Sequence, residues 1–326
     1  MKQQITIPDI TSYILRKCNT VNSIGLYNGK AGLSLSLFVA SEYMQDQKVE
    51  DIAYDLIKES LVINQSDLSF EGGLAGVGYA LLYLIENKYL DADFDEIFGE
   101  QYEKIIESFE KIEQNPIRLI NSLKEIYFLF RAGRIKRDER AQLIIKKICE
   151  GVELFFTIQF HDFIDIHFSS KKIHILNIYS LYLKLIDYID YAHFSRSLLE
   201  NYASLYRKEK VVSSLDIGYC LKLITEKYYI KGYDDVIHEN ISNGINNIYP
   251  CMLSLEEKIN LIKYTYKNKP IEINASNSIL DFKVISKDDT IEDLLEVIKK
   301  KDNPIGYGTG LARLLMFCVN KDIELV

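Results

Sequence analysis

Two stretches of the chain begin in the same unusual way. Gly29-Lys30-Ala31-Gly32 and Gly73-Leu74-Ala75-Gly76 each open a long apolar run, LSLSLFVA in the first and VGYALLYLI in the second. Glycine in a helix interior costs about 1 kcal/mol relative to alanine. A chain that places two glycines at the front of a buried helix, and does so again 44 residues later, is repeating a structural unit. That spacing fits one helical hairpin.

The pattern continues along the chain in weaker form. Apolar runs without the glycines occur at 121–134, 172–189 and 255–267. The segment 214–229 keeps Gly218, and 304–317 regains Gly306, Gly308 and Gly310. Seven apolar segments result, spaced roughly 40 to 55 residues apart. Charged amphipathic stretches such as 48–65, 101–114 and 138–156 lie between them. An apolar helix wants neighbours on all sides, whereas a charged one buries a single stripe. The expected fold is therefore all-α: one domain over 1–326, an α/α toroid of about seven helical hairpins with the apolar helices inside. Small residues at the inner helix starts let backbones crowd together, and the helix N-termini would offer N–H groups and partial positive charge to a shared mouth.

At this point the residues resemble a known family. GLYNGKAGLSLSLF and FEGGLAGVGYALLYLIENKYLDADFDEIF are similar to the first two repeats of lanthionine synthetase C-like (LanC-like) proteins, in the compact form found beside peptide-maturation genes in Bacteroidetes. The resemblance implies a seven-hairpin toroid with one zinc ion at its mouth, held by two cysteines and a histidine. There the metal would activate a peptide thiol for addition to a dehydrated residue, since a metal-bound thiol is deprotonated.

Residue by residue, the chain departs from that ligand set. The first family cysteine aligns with Val211. The adjacent Cys-His pair aligns with Leu253 and Ser254, and no Cys-His dipeptide occurs in the chain. The family aspartate before the third inner helix has Asn115 as its nearest counterpart. Cys251 lies near an expected position, and Cys220 falls about 13 Å along a helix from the other. A zinc site needs at least three converging ligands, so no metal or other cofactor is expected. The five cysteines read as buried reduced thiols. His174 aligns with a family acid–base histidine just before the fourth inner helix, and histidine titrates near neutrality. His161, His167, His193 and His238 carry no role.

These readings point to a zinc-less LanC-like protein, leaning away from enzyme activity, that binds a precursor peptide or a partner peptide-modifying enzyme. Asn28, Lys30, Glu71, Ser213, Tyr307 and Thr309 would line the mouth beside His174. Three alternatives stay open: a lanthionine cyclase or other peptide-modifying enzyme with a non-standard site, an α/α-toroid glycosidase, and a structural partner that makes no use of its cavity. A glycosidase needs two facing carboxylates, and no such pair can be nominated.

The net charge of −8 argues against a nucleic-acid surface. The basic clusters 134–140 and 299–301 read as solvated helix faces. No apolar run is long enough to span a membrane, and the start of the chain lacks a signal peptide's apolar core. With cysteines spread singly, the expected location is the cytoplasm. DADFDE (91–96) has the acids of a calcium loop but lacks its glycine and final glutamate, so it reads as an acidic helix start.

Overall fold

The computed structural model describes residues 5–62, 66–111, 116–163, 170–246, 304–308 and 310–319. Among these it is all-α, with no strand. The chain forms two compact units, Met1–Ile105 with Tyr249–Val326, and Ile106–Ile248.

In the first unit, α1 (Ile7–Cys18) begins with a capping box. Thr6 Oγ1 accepts from the Asp9 N–H while the Asp9 carboxylate accepts from the Thr6 N–H. Two orphan donors are thereby satisfied reciprocally. The helix α2 (Lys30–Met44) is buried at every residue from Ala31 to Ser41. It packs on α3 (Gln47–Val62), α4 (Leu74–Glu86) and α13 (Leu311–Val319). Likewise α4 is buried from Leu74 to Leu84 and α13 from Leu311 to Phe317. Each Leu, Val or Phe sealed in this way contributes about 1.5–3 kcal/mol.

By contrast, α3 buries only Val49, Ala53, Leu56, Ile57 and Ser60, the single stripe expected of a charged outer helix. The turn from α2 to α3 is tight. Gln45 sits in the left-handed region at φ 54°, and the Asp46 carboxylate accepts from the Lys48 N–H at 3.0 Å.

The acidic stretch 91–96 caps α5 (Phe94–Glu110), as expected. Asp93 Oδ1 accepts from the N–H groups of Asp95 and Glu96 at 2.8 and 3.1 Å, where a carboxylate also meets the helix dipole.

The second unit holds α6 (Pro116–Asn121), α7 (Glu125–Lys136), α8 (Glu139–Asp162), α9 (Ser170–Tyr188), α10 (Arg196–Arg207), α11 (Leu215–Lys227) and α12 (Asp234–Asn246). Hairpin partners again pack together, α7 on α8 and α11 on α12. The basic stretch at 134–140 is part of this surface, with Arg140 paired to Asp138 at 2.7 Å. The 299–301 run lies outside the described residues.

The glycines of the first unit are required by close approach. A Cβ on Gly32 would stand 1.9 Å from the Leu26 carbonyl oxygen, and one on Gly76 2.0 Å from that of Phe70. Gly99, in α5, has nothing within 4 Å of such a Cβ. Gly32→Ala and Gly76→Ala are each expected to lower stability by about 2–3 kcal/mol. Gly99→Ala should raise it by up to about 1 kcal/mol. Urea unfolding followed by circular dichroism checks both signs.

Candidate functional site

The face with the strongest claim to function is built from three turns that lead into α2, α4 and α13, at 23–29, 67–73 and 304–310. They share backbone hydrogen bonds at equivalent positions. The N–H of the first helical residue donates to a carbonyl seven residues earlier: Lys30 to Ser23, Leu74 to Asp67 and Leu311 to Pro304, each at 2.9 Å. The next N–H repeats the bond in two of the three, Ala31 to Ile24 at 3.1 Å and Ala312 to Ile305 at 3.2 Å. The turn folds back on its own helix so closely that Gly29, Gly73 and Gly310 could not carry a Cβ. It would lie 2.4–2.6 Å from turn backbone in all three.

The expectation of open N–H groups at the mouth is corrected by these bonds. The turn's own carbonyls satisfy the first donors of each inner helix, which would otherwise be orphaned.

The turns are also joined to one another at one equivalent position. The Gly308 N–H donates to the Tyr27 carbonyl and the Tyr27 N–H donates to the Glu71 carbonyl, each at 2.9 Å. Beneath them runs an aromatic seam. Tyr307 meets Tyr27 at 6.4 Å, Tyr27 meets Phe70 edge-on at 6.3 Å, and Phe70 meets Tyr79 at 5.3 Å. The third turn thus meets the first as the first meets the second.

Asn28 and Glu71 are exposed on these turns. Lys30 is half-buried and ion-paired with Glu59 of α3. Tyr307 departs from its expected place. Its ring is 1% exposed, because it occupies the position that Leu26 and Phe70 fill in the other turns, facing the core. Thr309 lies outside the described residues, as do Asn115, Cys251, Leu253 and Ser254.

Sequence reasoning missed Arg313. It stands where the first two repeats have Gly32 and Gly76, and it is fully buried. Its guanidinium folds back over the Tyr307 ring at 5.7 Å and donates to the Gly308 carbonyl at 3.3 Å. Only the register of the third turn reveals the substitution.

The second unit starts its helices differently. At α11 the cap is a side chain, Ser214 Oγ accepting from the Ile217 N–H at 3.4 Å. Asn240 of α12, 0% exposed, holds this start in place. Its Oδ1 accepts from the Ser214 N–H at 3.0 Å and from the Tyr202 hydroxyl at 2.9 Å, and its amide donates to the Val236 carbonyl at 2.8 Å. Ser213 shares a hydrogen bond with the Tyr206 hydroxyl at 2.8 Å.

His174 is not before a helix but inside α9, as its fifth residue, and exposed. Two residues earlier, Lys172 is buried and donates to the carbonyls of Phe163 and Lys210, both at 3.2 Å. Burial lowers its pKa. It ties the end of α8 to the approach to α11.

Val211, which the family resemblance aligns with the first zinc cysteine, is 9% exposed and carries no ligand atom. Cys220 is buried in the second turn of α11. Burial pushes the Cys18 thiol up and the Cys149 thiol up to about 12, the opposite of what a thiolate ligand needs. Among the described residues, no three His, Cys, Asp or Glu side chains converge.

Residues 20–124, about the first third of the chain, match the model of the family described as lanthionine synthetase C-like protein. Over that span the chain is similar to the LanC-like family. The match contains the first two glycine turns. The third, at 304–310, shares their geometry outside it. No curated protein and no solved structure matches the chain.

Asn240→Ala is expected to cost about 2–3 kcal/mol, because it removes both acceptor bonds and leaves the Tyr202 hydroxyl buried. Asp235→Ala, on the exposed side of α12, should cost under about 1 kcal/mol, since its pair with Arg207 is solvated. Paired urea melts measure the difference.

Proposed function

We propose that this chain is a LanC-like protein that no longer uses zinc and acts as a binding subunit in the maturation of ribosomally made peptides, holding a precursor peptide or a partner peptide-modifying enzyme. One observation carries the reading. Three glycine turns share one pattern of backbone bonds, while the residue that the resemblance aligns with the first zinc cysteine is Val211. Sequence adds that the chain has no Cys-His pair to supply the other two ligands. No step of zinc chemistry is assigned to it.

What remains at the turns suits recognition. Asn28 and Glu71 are exposed polar side chains standing on a rigid, glycine-locked backbone, and recognition by a fixed frame saves ordering cost on binding.

Elemental analysis of the purified full chain tests the loss of metal. The expected content is below about 0.1 zinc per chain, against one for a site with a full ligand set. Incubation with a cysteine-containing, dehydrated precursor should give binding with no thioether formed, and Glu71→Lys should change that affinity about fivefold. Stoichiometric zinc that disappears in Cys251→Ala or Cys220→Ala would overturn the proposal.

A further inference from the structure

A cleft of about 500 Å³ opens between α3 and the connection from α4 to α5. It is separate from the turns. Phe38, on its floor, lies eight residues beyond Lys30, about 12 Å along α2. Ile57 of α3 and Leu81 of α4 complete an apolar base, and Ile97 of α5 forms part of a wall. Two tyrosines stand over it. Tyr54 is 52% exposed and Ile97 is 39% exposed, large apolar surface left open to solvent at a concave site. The Tyr89 ring packs on Phe38 at 6.0 Å, and its hydroxyl donates to Glu42 at 2.7 Å. Burial and that carboxylate raise the Tyr89 pKa, so the ring stays neutral and fixed in orientation.

The rim carries Glu50, Asp51 and Asp91 against one cation, Lys58. We propose that this cleft is a docking site for a peptide segment that bears lysine or arginine beside apolar side chains. The apolar base takes the aliphatic or aromatic groups, and a volume of this size lies within the range of pockets that bind ligands. The carboxylates offer charge-assisted bonds to ammonium or guanidinium groups, and the Tyr54 ring offers a cation–π face. An acidic segment would meet repulsion from three carboxylates. The charge balance selects this occupant over a neutral apolar one. The cleft is lined by none of the residues of the glycine turns, so the inference stands independently of the function proposed for them.

The chain contains no tryptophan, so the fluorescence of a tryptophan-bearing probe is read without background. The full chain is titrated into Ac-Lys-Leu-Trp-Lys-Leu-Lys-NH2 and, separately, into Ac-Glu-Leu-Trp-Glu-Leu-Glu-NH2. The expected result is a saturable blue shift with the basic peptide alone, weakened as salt rises from about 50 to about 500 mM. The double variant Glu50→Lys/Asp51→Lys should weaken it at least about tenfold. Ile97→Gln should weaken it several-fold with the salt dependence kept, and circular dichroism confirms that both variants are folded. Equal binding of the two peptides, binding indifferent to both variants, or no binding at all overturns the proposal. Sedimentation velocity adds the remaining occupant: a dimer that dissociates in Ile97→Gln would mean that a second copy of the chain fills the cleft, and would overturn it too.

Discussion

The fold of the first unit depends on backbone meeting backbone at distances that exclude a side chain. Each glycine turn lends its carbonyls to the inner helix that follows it, and one hydrogen bond joins the third turn to the first and another the first to the second. A Cβ at Gly29, Gly73 or Gly310 would stand inside the turn that makes those bonds. Helix starts usually borrow an oxygen from serine, threonine or aspartate. Here the chain itself supplies it, so the inner helices can begin in a crowded, apolar place without a polar side chain. The buried length of α2, α4 and α13 follows, because each can be buried from its first turn onward.

That constraint decides what could be read from sequence. The GxAG entry at 29–32 and 73–76 is visible as letters because only glycine tolerates the approach, and the same necessity made the third turn legible at 304–310. The hairpin alternation was legible for a related reason: surrounded and half-exposed helices differ in composition, as α2 and α3 do. In the second unit the helix starts use side chains instead. Ser214 and Asn240 cap α11 through a residue 26 positions away, and no local pattern announces that partnership. Glycine-poor starts also leave the register of α9 loosely marked, which is why His174 was placed before a helix that in fact contains it.

Of the residues expected at the mouth, Asn28 and Glu71 lie on the turns and are exposed, and Lys30 opens α2. Tyr307 was chosen by the same positional logic and is buried, because one step along a tight turn reverses a side chain's direction. Arg313 escaped notice because a charged residue in an apolar helix start has no warrant in the repeat. It fits only by lying back on Tyr307 and the Gly308 carbonyl, a placement that needs three-dimensional coordinates to see.

Backbone capping also separates two kinds of loss. Where a metal ligand is a side chain on a turn whose shape is held by main-chain bonds, replacing the ligand leaves every bond of the turn in place. A valine at position 211 is compatible with the fold, since it is buried. The converse does not hold: one methyl group on Gly32 or Gly76 collides with a carbonyl oxygen. Substitutions therefore fall unequally. Those that erase coordination chemistry are tolerated by the fold, and those that touch the glycines are not.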